Sequence, residues 1–216
     1  MTVTREGLRV LVHPRRTPLT WVYLGVLLSS TVLLRLLGDQ RASTLLRAMS
    51  TDAAHLTTTP ARVLVGSALL LPGAVRLPYA LVLAVTLGSL ELRFGRRATA
   101  LVFLTGHVLA TLLTELPIAI GVHLHALPQS AAHRLDVGVS YGMYAAVGAA
   151  LVLLPVPVRR LAALLAGAVV LVPVVGDHDL TSVGHVLSLA TGLAWWPWLR
   201  QRQRQRQRQQ RAPLLS

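Results

Sequence analysis

The stretch "DVGVSYGMYAAVG", Asp136 to Gly148, places hydroxyl side chains among glycine and alanine in an apolar part of the chain. Ser140 and Tyr144 are four residues apart, so a helix would carry both on one face. Lipid offers no hydrogen-bond partner to an unpaired polar group, whereas water does. The meaning of these residues therefore depends on the solvent that surrounds them.

The composition predicts an integral membrane protein. Hydrophobic residues make up 53% of the 216 residues and charged residues only 13%, against about 25% charged in soluble domains. The net charge of +13 comes from arginines that lie mostly between apolar runs, a pattern typical of membrane topology rather than of nucleic-acid binding. With no cysteine, disulfides and thiolate chemistry are excluded. Rich in arginine, alanine and leucine, the chain fits a multi-pass protein of a bacterial plasma membrane, and we expect no nucleic-acid partner.

Six apolar segments predict an all-α bundle of six transmembrane helices. About 20 residues of helix cross a hydrocarbon core of roughly 30 Å. The segments are Pro18 to Gly38, Leu77 to Leu92, Thr99 to Val122, Val137 to Pro155, Leu161 to Val175 and Leu180 to Leu199. A further run over residues 61–73 is too short to span comfortably and is predicted to be interfacial or re-entrant.

Arginine bias predicts that both termini face the cytoplasm. With the N-terminus inside and six crossings, the inner segments hold 15 of the 21 arginines, and the outer connections hold five aspartates. Residues 1–17 form a cytoplasmic segment, residues 18–199 the membrane domain, and residues 200–216 a basic cytoplasmic tail. The tail, "RQRQRQRQQR", has low complexity and is predicted to be disordered. We expect it to contact anionic lipid.

Ionisable residues within the predicted spans are functional candidates by default, because burying them in lipid is costly. They are His107, Glu115, His185 and the set formed by Asp136, Ser140 and Tyr144. At 1.5 Å rise per residue, Ser140 lies about 6 Å and His185 about 9 Å from the outer ends of their helices. A serine and a histidine on two helices at one level form the pair that nucleophilic catalysis needs. The alternative for a lone membrane serine is helix packing.

This region resembles the rhomboid family of intramembrane serine proteases. The family places its nucleophile in a G-x-S-G motif, with tyrosine, alanine and glycine four, five and eight residues later. The matching residues here are Gly138, Ser140, Tyr144, Ala145 and Gly148.

A second part of the resemblance lies on the last helix, where the family histidine opens H-x-x-G-x-x-x-G. "GHVLSLATG" supplies His185, Ser188 in place of the first glycine, and Gly192. "ELRFG", beginning at Glu91, is similar to the family's E-x-R-x-G turn. The resemblance covers Ala61 to Trp198.

The resemblance implies a Ser140–His185 dyad that cleaves transmembrane protein substrates without a cofactor. It implies that the Tyr144 ring packs against the imidazole and orients it. Small residues such as Gly138 would let the helices approach closely.

Two departures bear on activity. The family's second helix carries H-x-x-x-N, which helps to bind the oxyanion. The corresponding positions fall near Val75 and Tyr79, and no histidine or asparagine occurs between Arg62 and Glu91. Tyr141 replaces the glycine that follows the nucleophile. A catalytically inactive relative that binds transmembrane helices is therefore the alternative function.

Other polar residues leave further alternatives. One helix face carries His107, Thr111, Thr114 and Glu115. Glu115 is either a supporting site residue or part of a structural paired face. We expect His107 to be structural. A haem protein would need His107 and His185 as axial ligands, although their depths differ. A metal site at His123, His125 and His133 has irregular spacing and no cysteine. We expect neither group.

Topology can be tested with alkaline phosphatase, which is active only outside the cytoplasm. We expect an active enzyme when it is fused after Ala126 and an inactive one when it is fused at Ser216. Activity at Ser216 with none at Ala126 would invert the predicted orientation.

Overall fold

The computed structural model describes residues 14–71, 77–177 and 179–211, and these residues form helices without any β-strand. Two 3₁₀ turns, Gln129–His133 and Leu151–Leu153, interrupt the connections. The α-helices are α1 Pro18–Ala48, α2 Ala53–Thr58, α3 Pro60–Leu69, α4 Leu77–Phe94, α5 Arg96–His123, α6 Ser140–Ala150, α7 Val156–Asp177, α8 Leu180–Ala194 and α9 Trp196–Arg211. The all-α class predicted from the sequence is confirmed.

Four of these helices are long and apolar enough to cross a membrane. They are α1, α4, α5 and the part of α7 from Val156 to Gly176. The other two predicted crossings correspond to α6, with 11 residues, and α8, with 15. The number of six crossings and the cytoplasmic position of both ends stay predictions.

The segment predicted to begin at Leu161 is already helical from Val156, and the segment predicted to run to Leu199 is divided between α8 and α9. Two other predicted bounds differ because glycine changes the backbone. The segment predicted to end at Gly38 bends there, with φ of 71°, and continues helically to Ala48. The segment predicted to begin at Val137 becomes helical only at Ser140, because Gly138 has φ of 145°, outside the helical region. The short run predicted over residues 61–73 is α3 up to Leu69, and residues 72 and 73 lie outside the described residues.

Helix α6 lies at the centre of the bundle. Its Ala145, Ala146 and Ala149 are fully buried, and it packs between α5 and α8. Helix α7 lies at the periphery, where most of its apolar side chains are exposed. Such a surface is suited to lipid rather than to water.

The buried carboxylate of Glu91, near the end of α4, binds the first turn of α1. Its Oε1 accepts the backbone N–H of Leu19 at 2.9 Å, and its Oε2 accepts the N–H and the hydroxyl of Thr20 at 2.9 and 2.8 Å. The first N–H groups of a helix have no intrahelical partner and attract negative charge. Pro18, which has no N–H, occupies the first helical position. Glu91 therefore fixes the start of α1 beside the end of α4.

The tail predicted to be disordered over residues 200–216 is helical as far as Arg211; residues 212–216 lie outside the described residues. Glutamine and arginine both favour the helix. Arg206 also donates from Nη1 to the Arg93 carbonyl oxygen at 2.7 Å and from Nη2 to that of Phe94 at 3.4 Å. These carbonyls end α4, so the docked arginine supplies donors that a helix C-terminus lacks. Residues 1–13 of the predicted cytoplasmic segment also lie outside the described residues.

We expect Glu91→Gln to lower the thermal stability of the detergent-solubilised protein. The substitution removes the charge that faces the start of α1, and hydrogen bonds to charged groups contribute about 1.5–3 kcal/mol. Asp39→Asn is the matched control, because this exposed carboxylate loses the same charge. An equal change in melting temperature for the two variants would contradict the role of Glu91.

Candidate active site

Ser140 and His185 lie within hydrogen-bond distance across two helices. Ser140 is the first residue of α6, His185 lies in α8, and 3.0 Å separates Ser140 Oγ from His185 Nε2. With the ring proton on Nδ1, the hydroxyl donates to Nε2. This is the alignment that a histidine base requires to activate a serine. The structure therefore joins the two residues that the sequence placed at one depth.

The connection before α6 is held by hydrogen bonds to the segment after α1. The Asp136 carbonyl oxygen accepts the backbone N–H of Thr51 at 2.8 Å and its hydroxyl at 2.9 Å, while the Asp136 N–H donates to Ser50 Oγ at 3.0 Å. Burial raises the pKa of the Asp136 carboxyl, and the charge of Arg134 opposes that rise. The positive φ of Gly138 then turns the chain into α6. A fixed entry of this kind holds Ser140 in one position.

Two tyrosine rings flank the imidazole of His185. The Tyr144 ring centroid lies 4.6 Å from it with tilted planes, and the Tyr141 centroid lies 5.6 Å away in an edge-on arrangement. The contact expected for Tyr144 is present. The Tyr141 ring lies against Gly184, where a Cβ would come within 2.5 Å of the ring. A tyrosine can therefore replace the family's glycine, because Gly184 has no side chain. The bulky residue after the serine is thus matched by a missing side chain before the histidine.

Helices α6 and α8 approach each other backbone to backbone. A Cβ at Gly148 would meet the Leu189 carbonyl oxygen at 2.5 Å, and a Cβ at Gly192 would collide with the Ala145 carbonyl. Ser188, which stands where the family motif has its first glycine, donates its hydroxyl to the Tyr141 carbonyl oxygen. These contacts leave little freedom in how the two helices pack.

Glu115, a sequence candidate for a supporting role, is fully buried and paired with Arg134. Its Oε1 accepts from Arg134 Nη2 at 2.5 Å. Arg134 also donates from Nη1 to Thr181 Oγ1 at 2.8 Å, and the same atom lies 3.7 Å from Asp179 Oδ1. Thr181 precedes His185 by one helical turn. Among the described hydrogen bonds, Glu115 thus reaches α8 through Arg134 and makes none with the dyad.

Arg134 is a residue that the sequence argument missed. The signal was its charge: it is the one arginine in the predicted outer connection that links the segments ending at Val122 and beginning at Val137. A buried carboxylate requires a cation nearby, since an unpaired charge in the interior is costly. The search for a partner of Glu115 would have found it.

His107 holds α3 against α5. Its Nε2 lies 3.1 Å from both the Leu64 carbonyl oxygen and Ser67 Oγ. Because the carbonyl can only accept, Nε2 carries the proton. His107 and His185 therefore contact different helices, which does not fit a shared haem. No group of three or more metal-ligating side chains converges in the described part of the chain.

The oxyanion-binding groups of the family motif have one described counterpart. Val75 lies outside the described residues, and Tyr79 is half-buried in the first turn of α4. Tyr79 and Tyr144 are both partly buried and pack against the same apolar core. Backbone donors are also present at the start of α6. Met143 is the first residue of α6 whose N–H donates to a carbonyl four residues earlier, that of Val139. The preceding N–H groups of α6 lie at the positive end of its dipole.

A family model described as rhomboid-like protein matches residues 12–205. The chain belongs to the rhomboid-like family. The match spans all the helices that carry the site and supports a membrane bundle of this type. Comparison with curated proteins and with solved structures gave no match.

The Glu115–Arg134 pair of this rhomboid-like chain can be tested by a double-mutant cycle. We expect Arg134→Gln to destabilise the fold by about 3 kcal/mol, because it leaves a buried carboxylate unpaired. Adding Glu115→Gln should recover most of the loss. Arg160→Gln, at an exposed arginine, is the control. Additive effects of the two substitutions on the free energy of unfolding would contradict the pairing.

Proposed function

We propose that this rhomboid-like protein is an intramembrane serine protease with a Ser140–His185 dyad. The observation that carries the proposal is the 3.0 Å distance between Ser140 Oγ and His185 Nε2. A packing serine has no need of a histidine at this distance, whereas a nucleophile does. The substrates we propose are transmembrane segments of other proteins, in a bacterial cell membrane.

The reaction follows from the geometry of the dyad. Ser140 Oγ attacks the peptide carbonyl carbon while His185 Nε2 takes the hydroxyl proton. The imidazolium then gives that proton to the leaving amine, which breaks the peptide bond and leaves an acyl ester on Ser140. Water, deprotonated by the imidazole, hydrolyses the ester, and the proton returns to the serine oxygen. Tyr144 and Tyr141 hold the ring in place by contact with it.

Stabilisation of the oxyanion is assigned to groups that differ from the family motif. The first N–H groups of α6, beginning with that of Ser140, supply backbone donors next to the nucleophile. Tyr79 occupies the position that corresponds to the motif's asparagine and carries a hydroxyl donor. Tyr79 and Tyr144, which contacts His185, pack against the same apolar core, and this supports the role.

A second candidate function is the binding of transmembrane helices without cleavage. It is favoured by the lack of histidine and asparagine between Arg62 and Glu91. Loss of one oxyanion donor costs about 10²–10³ in rate, so an unreplaced motif would leave little activity. The two functions differ in whether a bound substrate is cut.

We expect Ser140→Ala and His185→Ala each to abolish cleavage of a model transmembrane substrate in proteoliposomes, with the fold intact. His107→Ala should lower the melting temperature and retain cleavage, because His107 binds α3 rather than the dyad. Ser43→Ala is the control for the serine, since its exposed hydroxyl bonds only within its own helix among the described contacts. A wild-type protein that binds the substrate and leaves it intact in every lipid tested would favour the second function.

Tyr79→Phe removes one hydroxyl and keeps the ring. If the hydroxyl binds the oxyanion, we expect kcat to fall by about 10²-fold or more with little change in KM. Tyr23→Phe is the matched control, because the Tyr23 hydroxyl donates to the Ala68 carbonyl at 2.7 Å, away from the dyad. An unchanged kcat in Tyr79→Phe would leave the backbone N–H groups as the donors.

A further inference from the structure

Two arginines from different helices contact one tryptophan ring at the end of the bundle opposite the dyad. The Arg159 guanidinium carbon lies 5.4 Å from the Trp196 ring centroid, and that of Arg200 lies 5.1 Å from the same centroid. Arg159 belongs to the first turn of α7 and Arg200 to α9. The ring itself is fixed, since Trp196 Nε1 donates to the Gly148 carbonyl oxygen at 2.8 Å. The ring thus brings two positive charges together on a rigid support.

Neither guanidinium has a carboxylate partner among the described residues. The ion pairs found there involve only His55 with Asp52, and Arg134 with Glu115 and Asp179. Glu91, the carboxylate near the end of α4, is committed to the first turn of α1. Two like charges held near each other repel. An anion that contacts both guanidinium groups would relieve that repulsion.

The surroundings of the pair point to a lipid. Trp195 and Trp198, close to Trp196 in sequence, contact each other edge-on with ring centroids 5.1 Å apart. Tryptophan collects at the boundary between hydrocarbon and headgroups. From Arg159 onward, α7 exposes a continuous apolar surface that includes Leu161 and Leu164. A molecule with an anionic head and hydrocarbon chains matches both features.

We propose that Arg159 and Arg200 bind the phosphate of an anionic phospholipid whose acyl chains lie along the exposed face of α7. Guanidinium groups pair with phosphate oxygens in bidentate fashion. Basic pockets between membrane helices at the interface are suited to such headgroups. The site is separate from the serine dyad and does not depend on whether the protein cleaves substrates.

The test measures phosphatidylglycerol binding to the detergent-solubilised full chain by native mass spectrometry. The site variant is Arg159→Gln/Arg200→Gln. The control is Arg204→Gln/Arg208→Gln, which removes the same charge from exposed positions of α9 with no ring contact or ion pair described. We expect the apparent Kd to rise about 10-fold or more in the site variant and less than about 3-fold in the control. Equal weakening in both variants would show diffuse attraction and overturn the site.

Two further arms identify the ligand. Phosphatidylcholine should bind wild type and site variant alike; if the site variant loses phosphatidylcholine in parallel with phosphatidylglycerol, the two arginines do not select an anionic lipid and the proposal fails. Inorganic phosphate at millimolar concentration should not displace the lipid, and displacement would assign the site to free phosphate. If the double variant does not fold, Arg200→Gln alone, at an exposed arginine, should still weaken binding more than Arg204→Gln.

Discussion

The close packing of α6 against α8 is the constraint on which the rest of the structure depends. Gly148 and Gly192 allow backbone to touch backbone at this interface. Lipid supplies no hydrophobic drive for helices to associate, so contact area and interhelical hydrogen bonds must supply it. The Ser188 hydroxyl bound to the Tyr141 carbonyl adds one such bond. With the two helices locked together, the serine that opens α6 and the histidine in α8 have one relative position.

Three buried polar side chains within the bundle have partners that suit their chemistry. Glu91 faces the N–H groups that begin α1, and Glu115 faces Arg134. His107 binds the Leu64 carbonyl. Because an unpaired charge inside the protein would cost several kcal/mol, these pairs also determine which helices are neighbours. In the dyad, by contrast, the serine and the histidine bond to each other.

Much of the site could be predicted from the sequence, because depth along a helix follows from residue number. That rule placed Ser140 and His185 at one level, and the four-residue spacing placed Tyr144 below the serine. Depth along a helix could not reveal Arg134, because Arg134 lies in a connection whose path depends on tertiary contacts with Thr181 and Glu115.

The helix bounds were predictable where apolar runs decide them and not where a single backbone angle does. Helix α8 begins at the predicted residue, Leu180, whereas α6 starts later because Gly138 adopts a positive φ. The composition of the tail also led to a wrong prediction, because a polar repeat without an apolar face predicts disorder. In the structure the tail is helical to Arg211, and Arg206 donates to a carbonyl at the end of α4. Contacts between distant residues carry that information, and local patterns do not.

The most direct test of the dyad is to map the adduct of a serine-reactive fluorophosphonate. The purified protein is labelled in several lipid compositions, digested and analysed by mass spectrometry, with His185→Ala treated in parallel. The expected result is a single adduct on Ser140 in the wild-type protein that disappears in His185→Ala. An adduct on another serine, no adduct in any lipid, or equal labelling of Ser140 without the histidine would contradict a catalytic Ser140–His185 pair.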